Sequence, residues 1–139
     1  MIFWDSSALV ALLVDEADSE TRLQQLQTDP ELAVWWGTPV ECESAIQRRF
    51  REGSLAAPQA RLARERLADL SNSWHEVSPV VVIRTLSRRL LRTHPLRAAD
   101  ALQLAAALAL GEAASNEFNF ACSDVRLATA AEIEGLQVI

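Results

Sequence analysis

Lysine is absent from this chain: all 13 basic residues are arginine. Cysteine is scarce, with only Cys42 and Cys122, far apart and outside any CxxC pair. That excludes a disulfide scaffold and gives no support to a zinc site. Four glycines and five prolines are too few for a low-complexity or collagen-like chain. No stretch reaches the roughly 18 uninterrupted apolar residues that a membrane-spanning helix needs. The opening segment, Met1 to Glu16, lacks a basic leader and a small-residue cleavage site. Its apolar run is broken at Asp5, which predicts a strand and then a helix rather than a secretory signal. The expected setting is cytoplasmic and reducing, with no membrane partner.

What is present is ordinary globular composition: 139 residues, 50% hydrophobic and 23% charged. That predicts one compact domain over residues 1–139. The net charge of −6 argues against the basic footprint of a nucleic-acid binder. The average conceals arginine clusters at Arg48, Arg49 and Arg51, at Arg61, Arg64 and Arg66, and from Arg84 to Arg97. Acids gathered as metal ligands would be neutralised by their ions, leaving those arginines to dominate the remaining surface.

Strand and helix signals alternate. Met1 to Trp4 is apolar without alternation, the pattern of a strand buried on both faces. Helices follow over Ser6–Val14 and Ala17–Gln27, the second with a partial stripe of Leu23 and Leu26. Leu32–Trp36 reads as a strand ended by Gly37, and Pro39 suits the first turn of a helix running to Arg51. Pro58–Leu70 is helical, Trp74–Ser78 a strand, and Pro79–Leu91 a helix followed by a loop over Arg92–Pro95. Ala98–Leu110 is apolar nearly all round, as a central helix is. Phe118–Cys122 is a strand, Asp124–Glu134 a helix stopped by Gly135, and Leu136–Ile139 a last strand. Short loops between alternating elements imply an α/β fold with a mostly parallel sheet.

Four acids stand in apolar surroundings. Asp5 and Asp124 each fall where a strand gives way to a helix, the end of a parallel sheet at which ligands bind. Asp100 is the only charge within Ala98–Leu110, and Glu41 lies near the start of the Pro39 helix. Each alone fits a helix cap or a first-turn acid favoured by the helix dipole. Together, carboxylates converging on one sheet edge repel one another unless a cation sits among them. Oxygen-only ligands suit Mg²⁺ or Mn²⁺. Such ions hold phosphates, activate water and stabilise the leaving oxygen of a phosphodiester.

These residues also fall into a recognisable pattern. Phe3-Trp4-Asp5-Ser6-Ser7-Ala8-Leu9 resembles the opening of a PIN-domain protein of the VapC toxin family. Thr38-Pro39-Val40-Glu41, with Ser44-Ala45-Ile46 and Arg48-Arg49, resembles its second motif. His94-Pro95-Leu96-Arg97-Ala98-Ala99-Asp100-Ala101-Leu102-Gln103-Leu104-Ala105 resembles the third, and Cys122-Ser123-Asp124-Val125-Arg126-Leu127 the fourth. The resemblance spans essentially the whole chain, in order. It implies a three-layer sandwich whose mostly parallel five-stranded sheet is flanked by helices. It implies a Mg²⁺- or Mn²⁺-dependent endoribonuclease, the toxin of a type II toxin–antitoxin pair, with RNA as substrate and a cognate antitoxin as partner. A homodimer and a toxin–antitoxin hetero-oligomer are also implied. The family's acidic site, catalytic and metal-ligating, maps onto Asp5, Glu41, Asp100 and Asp124. Glu43 competes with Glu41. Residues two apart on a helix point about 200° apart, so only one of them can face the site, and the spacing to Ala45 and Arg48 favours Glu41. Cys122 stands where the family often carries threonine, with Ser123 and Ser7 as other nearby hydroxyls.

The remaining candidates have simpler readings. His94 is expected to be structural and His75 a strand-edge residue. Trp35 and Trp36 could stack on bases but fit a core or dimer contact better. Arg48, Arg49 and Arg97 lie close in sequence to the proposed ligands and could bind phosphate. A nuclease acting on DNA and a PIN-like protein-binding module without catalysis are the competing functions.

Overall fold

The computed structural model describes residues 1–114 and 118–139. Among them the chain runs β1 (Ile2–Trp4), α1 (Ser6–Leu13), α2 (Ser19–Thr28), β2 (Leu32–Trp35), α3 (Thr38–Arg51) and α4 (Ala57–Ser71). It continues through β3 (His75–Val77), α5 (Val81–Thr93), α6 (Ala98–Ala114), β4 (Asn119–Ala121), α7 (Val125–Ile133) and β5 (Gln137–Val138). The five strands form one sheet in the order β3-β2-β1-β4-β5, and every pairing is parallel. The expectation of a mostly parallel sheet is therefore met in full.

Strand alternation divides the core in two. Ile2, Trp4, Leu32 and Val34 face one side, where they pack with Leu9, Leu13, Cys42, Ile46 and Ala63 from α1, α3 and α4. Phe3, Ala33, Trp35 and Phe120 face the other, against Ile83, Leu104, Leu127 and Ala131 from α5, α6 and α7. Helices on both faces explain why β1 and β2 are apolar without alternation. Phe3 and Phe120 stack across the β1–β4 pair with ring centroids 5.7 Å apart.

Several boundaries move. The fifth helix begins at Val81 rather than Pro79 and runs to Thr93, taking in part of the expected loop. The Ala/Leu helix continues past Leu110 to Ala114. On α2 the buried residue is Arg22, while Leu23 is half exposed and only Leu26 packs on the core. Of the tandem tryptophans, Trp35 is buried and Trp36 is 54% exposed. No described helix is long and apolar enough to cross a membrane.

Candidate active site

The chain lays β2 and β3 on one side of β1, then returns to place β4 and β5 on the other. The switch point between β1 and β4 opens a crevice beyond the strands' carboxyl ends. Asp5 ends β1 and caps α1; Asp124 follows β4 and caps α7. Glu41 lies in the first turn of α3 and Asp100 in the first turn of α6. All four carboxylates line one cleft of about 740 Å³. Four helix N-termini, each carrying partial positive charge, thus meet the four acids there. For three of the four, the capping role and the cleft role fall on the same residue. Asp5 accepts the Ser7 N–H at 2.9 Å, Asp124 the Leu127 N–H at 2.9 Å, and Asp100 the Arg97 N–H at 3.2 Å.

Asp5 is the deepest, 2% exposed. Its hydrogen bonds fall on Oδ2, from the backbone and hydroxyl of Ser7 and, more distantly, from the Cys122 thiol at 3.8 Å. No arginine pairs with it among the described residues. Burial raises its pKa above the ordinary carboxylate value against the Ser7 hydrogen bonds, and Asp100 adds to the rise. Glu41 is raised by burial and by Asp5 to about 7. Ser6 Oγ donates to its Oε1 at 3.1 Å and Gln103 Nε2 to its Oε2 at 2.9 Å. Asp100 is raised by burial, with a further push from Asp124. Burial first, and then Asp5, also pushes the Cys122 thiol up to about 12.

Glu43 is placed elsewhere. It accepts from Gln47 at 3.0 Å and lies 3.7 Å from Arg64, away from the cleft. His94 is also outside it, buried with Nε2 2.7 Å from Glu134, which Arg89 grips through both carboxylate oxygens. His75 is exposed on the edge strand β3, 3.3 Å from Glu31. Arg48, Arg49 and Arg97 all line the cleft, and Arg49 is paired with Glu16 at its rim. Two residues that hold the site together escaped the sequence reading. Gln103, fully buried, ties Glu41 to the Thr38 hydroxyl, at 2.9 and 3.0 Å. Its signal was available: it is the only other polar residue between Ala98 and Leu110. Arg22 had no such signal.

The donor set fits a hard divalent cation: oxygen ligands only, with burial first and neighbouring acids second raising three of the four carboxyl pKa values. Among the described residues no three acids already stand at ligating distance of one point. Water molecules would complete such a shell, as Mg²⁺ characteristically keeps several.

A doubly wound parallel sheet with a carboxylate cleft at its switch point defines an α/β domain with an acidic site at the carboxyl ends of its strands. The PIN-domain family model matches residues 2–131. Aligned over 151 residues, the chain is 31% identical to Ribonuclease VapC45 of Mycobacterium tuberculosis (strain CDC 1551 / Oshkosh), covering 99% of this chain and 94% of that one. The chain belongs to the PIN-domain family, in its VapC branch. Among solved structures, Mycobacterium tuberculosis VapC20, a sarcin–ricin loop cleaving toxin, superposes with a TM-score of 0.66 at 18% identity, covering 94% of this chain and 95% of its own. VapBC2 from Rickettsia felis, solved bound to a DNA fragment from its promoter, gives 0.66 at 12% identity over 100% and 98%. At those identities the likeness is one of fold.

Proposed function

We propose that this protein is a Mg²⁺- or Mn²⁺-dependent endoribonuclease, acting as the toxin of a type II toxin–antitoxin pair. The observation that carries the reading is the convergence of Asp5, Glu41, Asp100 and Asp124 on one cleft that arginines also line. The 31% identity to a protein named as a ribonuclease, over 99% of this chain, supports RNA as the substrate. The VapBC2 neighbour supports an antitoxin partner.

Asp5, Asp100, Asp124 and Glu41 would hold the cation, which when bound neutralises phosphate charge and acidifies a water. Arg48 and Arg97 sit on the cleft wall, suited to bind backbone phosphates flanking the scissile one. Ser6 and Gln103 hold the two oxygens of Glu41 in place. The antitoxin would close the cleft by presenting a cationic side chain to the acids. A homodimer fits the exposed Val80, Val81 and Val82 at the start of α5 and the exposed Trp36. A sedimentation mass near 15.3 kDa at micromolar concentration would count against it.

The deciding experiment is cleavage of single-stranded and structured RNA, and of DNA, with Mn²⁺ and with EDTA. RNA cleavage that requires Mn²⁺ and disappears in Asp5→Asn and Asp124→Asn is expected. Cleavage of DNA alone would move the activity to the DNA reading. Absence of cleavage, together with normal growth of cells expressing the chain alone, would leave the protein-binding reading.

A further inference from the structure

Helix α2 contributes no acid to the cleft, and most of its side chains are polar and exposed. Its single buried residue is Arg22, 6% exposed. All five guanidinium N–H groups are used. Nη2 donates to the Cys122 carbonyl at 2.8 Å and to Ser123 Oγ at 3.0 Å. Nη1 donates to the Ile139 carbonyl at 2.8 Å and to Gln25 at 2.9 Å. Nε donates to Asp18 at 3.3 Å. A buried arginine is an expensive way to join a helix to a sheet, since a well-packed apolar residue often does so at least as stably. What the guanidinium adds is direction: its planar fork fixes the acceptors it binds.

Two of those acceptors, at Cys122 and Ser123, belong to the turn that delivers Asp124. Ser123 is the residue before Asp124, and its hydroxyl is held by Arg22 and donates to Asp18 at 2.5 Å. Its N–H donates to Ser7 Oγ at 2.9 Å. With that lone pair engaged, the Ser7 hydroxyl turns its own hydrogen onto Asp5 Oδ2. We infer that Arg22 is a positioning residue for the carboxylate site, acting through Ser123 and Ser7 to orient Asp5 and through the 122–123 turn to place Asp124. The inference rests on the reading of the cleft as a cation site. It makes α2 part of the site's support rather than a passive cover.

The test is Mn²⁺ binding to the full chain, measured by calorimetry and by the loss of free-Mn²⁺ EPR signal, so that it does not depend on turnover. Arg22→Lys keeps the charge but not the fork; it should weaken Mn²⁺ binding by about tenfold, the lower end of what groups that orient metal ligands contribute. Ser7→Ala should do the same. The double variant should be little worse than the weaker-binding single, because both act along one chain of contacts. A purely structural role predicts a lower melting temperature, unchanged affinity in the folded protein and effects that multiply. That result overturns the inference. If Arg22→Lys does not fold, Asp18→Ala decides: it removes the carboxylate shared by Arg22 and Ser123 on a partly exposed residue. Affinity must then fall in the same direction and without multiplying with Ser7→Ala; unchanged affinity overturns the inference. Asp5→Asn and Asp124→Asn separate the two levels. If both bind Mn²⁺ normally, the cation-site reading itself fails; if both lose it while Arg22→Lys and Asp18→Ala keep it, only the role of Arg22 fails.

Discussion

Replacing Glu41 with glutamine measures the cost of holding a charged carboxylate in the cleft, from burial first and from Asp5 second. The amide keeps the shape of the carboxylate. Its oxygen can still accept from Gln103 Nε2, while its NH₂ can donate to Ser6 Oγ, a hydroxyl free to turn and accept. The substitution therefore removes a charge without orphaning a hydrogen-bond partner. Burial, and then Asp5, raise the Glu41 pKa from 4.5 to about 7. At about 1.4 kcal/mol per pH unit, that gap corresponds to about 3 kcal/mol of destabilisation when the group is ionised. Water enters the open cleft, and screening reduces the figure to about 1–2 kcal/mol. Because the folded pKa of this acid lies above its unfolded value, the penalty is complete above about 7 and fades as pH falls towards 4.5. In metal-free protein at pH 8, Glu41→Gln should thus raise the melting temperature by about 3–6 °C. At pH 5, where the folded carboxyl is already protonated, the gain should shrink to about a quarter of that. Saturating Mn²⁺ should reverse the order: wild type gains stability by binding, about 2.7 kcal/mol at a hundredfold excess over Kd, and the variant gains less. Scanning calorimetry with EDTA at both pH values, then with Mn²⁺, provides the check. A variant that melts lower than wild type at pH 8 without metal, or whose gain is the same at pH 5, would refute the account of Glu41 as a carboxyl strained first by burial and then by its acidic neighbour.

Asp100→Asn should hold or raise metal-free stability while Mn²⁺ binding weakens and RNA cleavage falls by orders of magnitude; melts beside a cleavage assay decide, and normal cleavage with a lower melting temperature would reduce Asp100 to a helix-end acid. Leu104→Ala, in a fully buried position under the sheet, should cost about 2–5 kcal/mol in urea unfolding without altering Mn²⁺ affinity in the folded protein. Gly135→Ala should cost about 1–2 kcal/mol, because φ is +92° where α7 ends and only glycine adopts it freely; an unchanged denaturation midpoint would contradict the turn geometry.

Much of the fold was legible because its signals are local. A continuous apolar run from Ile2 to Trp4 has the pattern of a strand covered on both faces, and that is what the two core layers do to it. The acids were legible because charge in apolar company demands a reason; helix geometry showed that only one of Glu41 and Glu43 could face the site, and the motif spacing to Ala45 and Arg48 chose Glu41. Arg22 was not legible. An arginine on a polar helix looks like any solvated residue, and its acceptors at Cys122, Ser123 and Ile139 lie at least 100 residues away in sequence. Leu23, which looked like core, stays half exposed because the guanidinium beside it takes the inward place. The helix expected from Pro79 begins two residues later, and of its β-branched run Val80, Val81 and Val82 are exposed while Ile83 turns inward.

The placement of β1 at the middle of the sheet bears on how the protein behaves while it is being made. Its two neighbours arrive at very different times, β2 after about thirty residues and β4 only after residue 118. Until Asn119–Ala121 has been synthesised, one edge of the central strand has no partner, and the sequence Ile2-Phe3-Trp4 offers an apolar, unpaired template. Asp124 and the Arg22 acceptors at 122–123 come later still, so the four acids cannot be gathered before that segment has been made. Products of interrupted translation would be harmless as nucleases and hazardous as aggregates, and their clearance would fall to chaperones and proteases rather than to any inhibitor of the finished site.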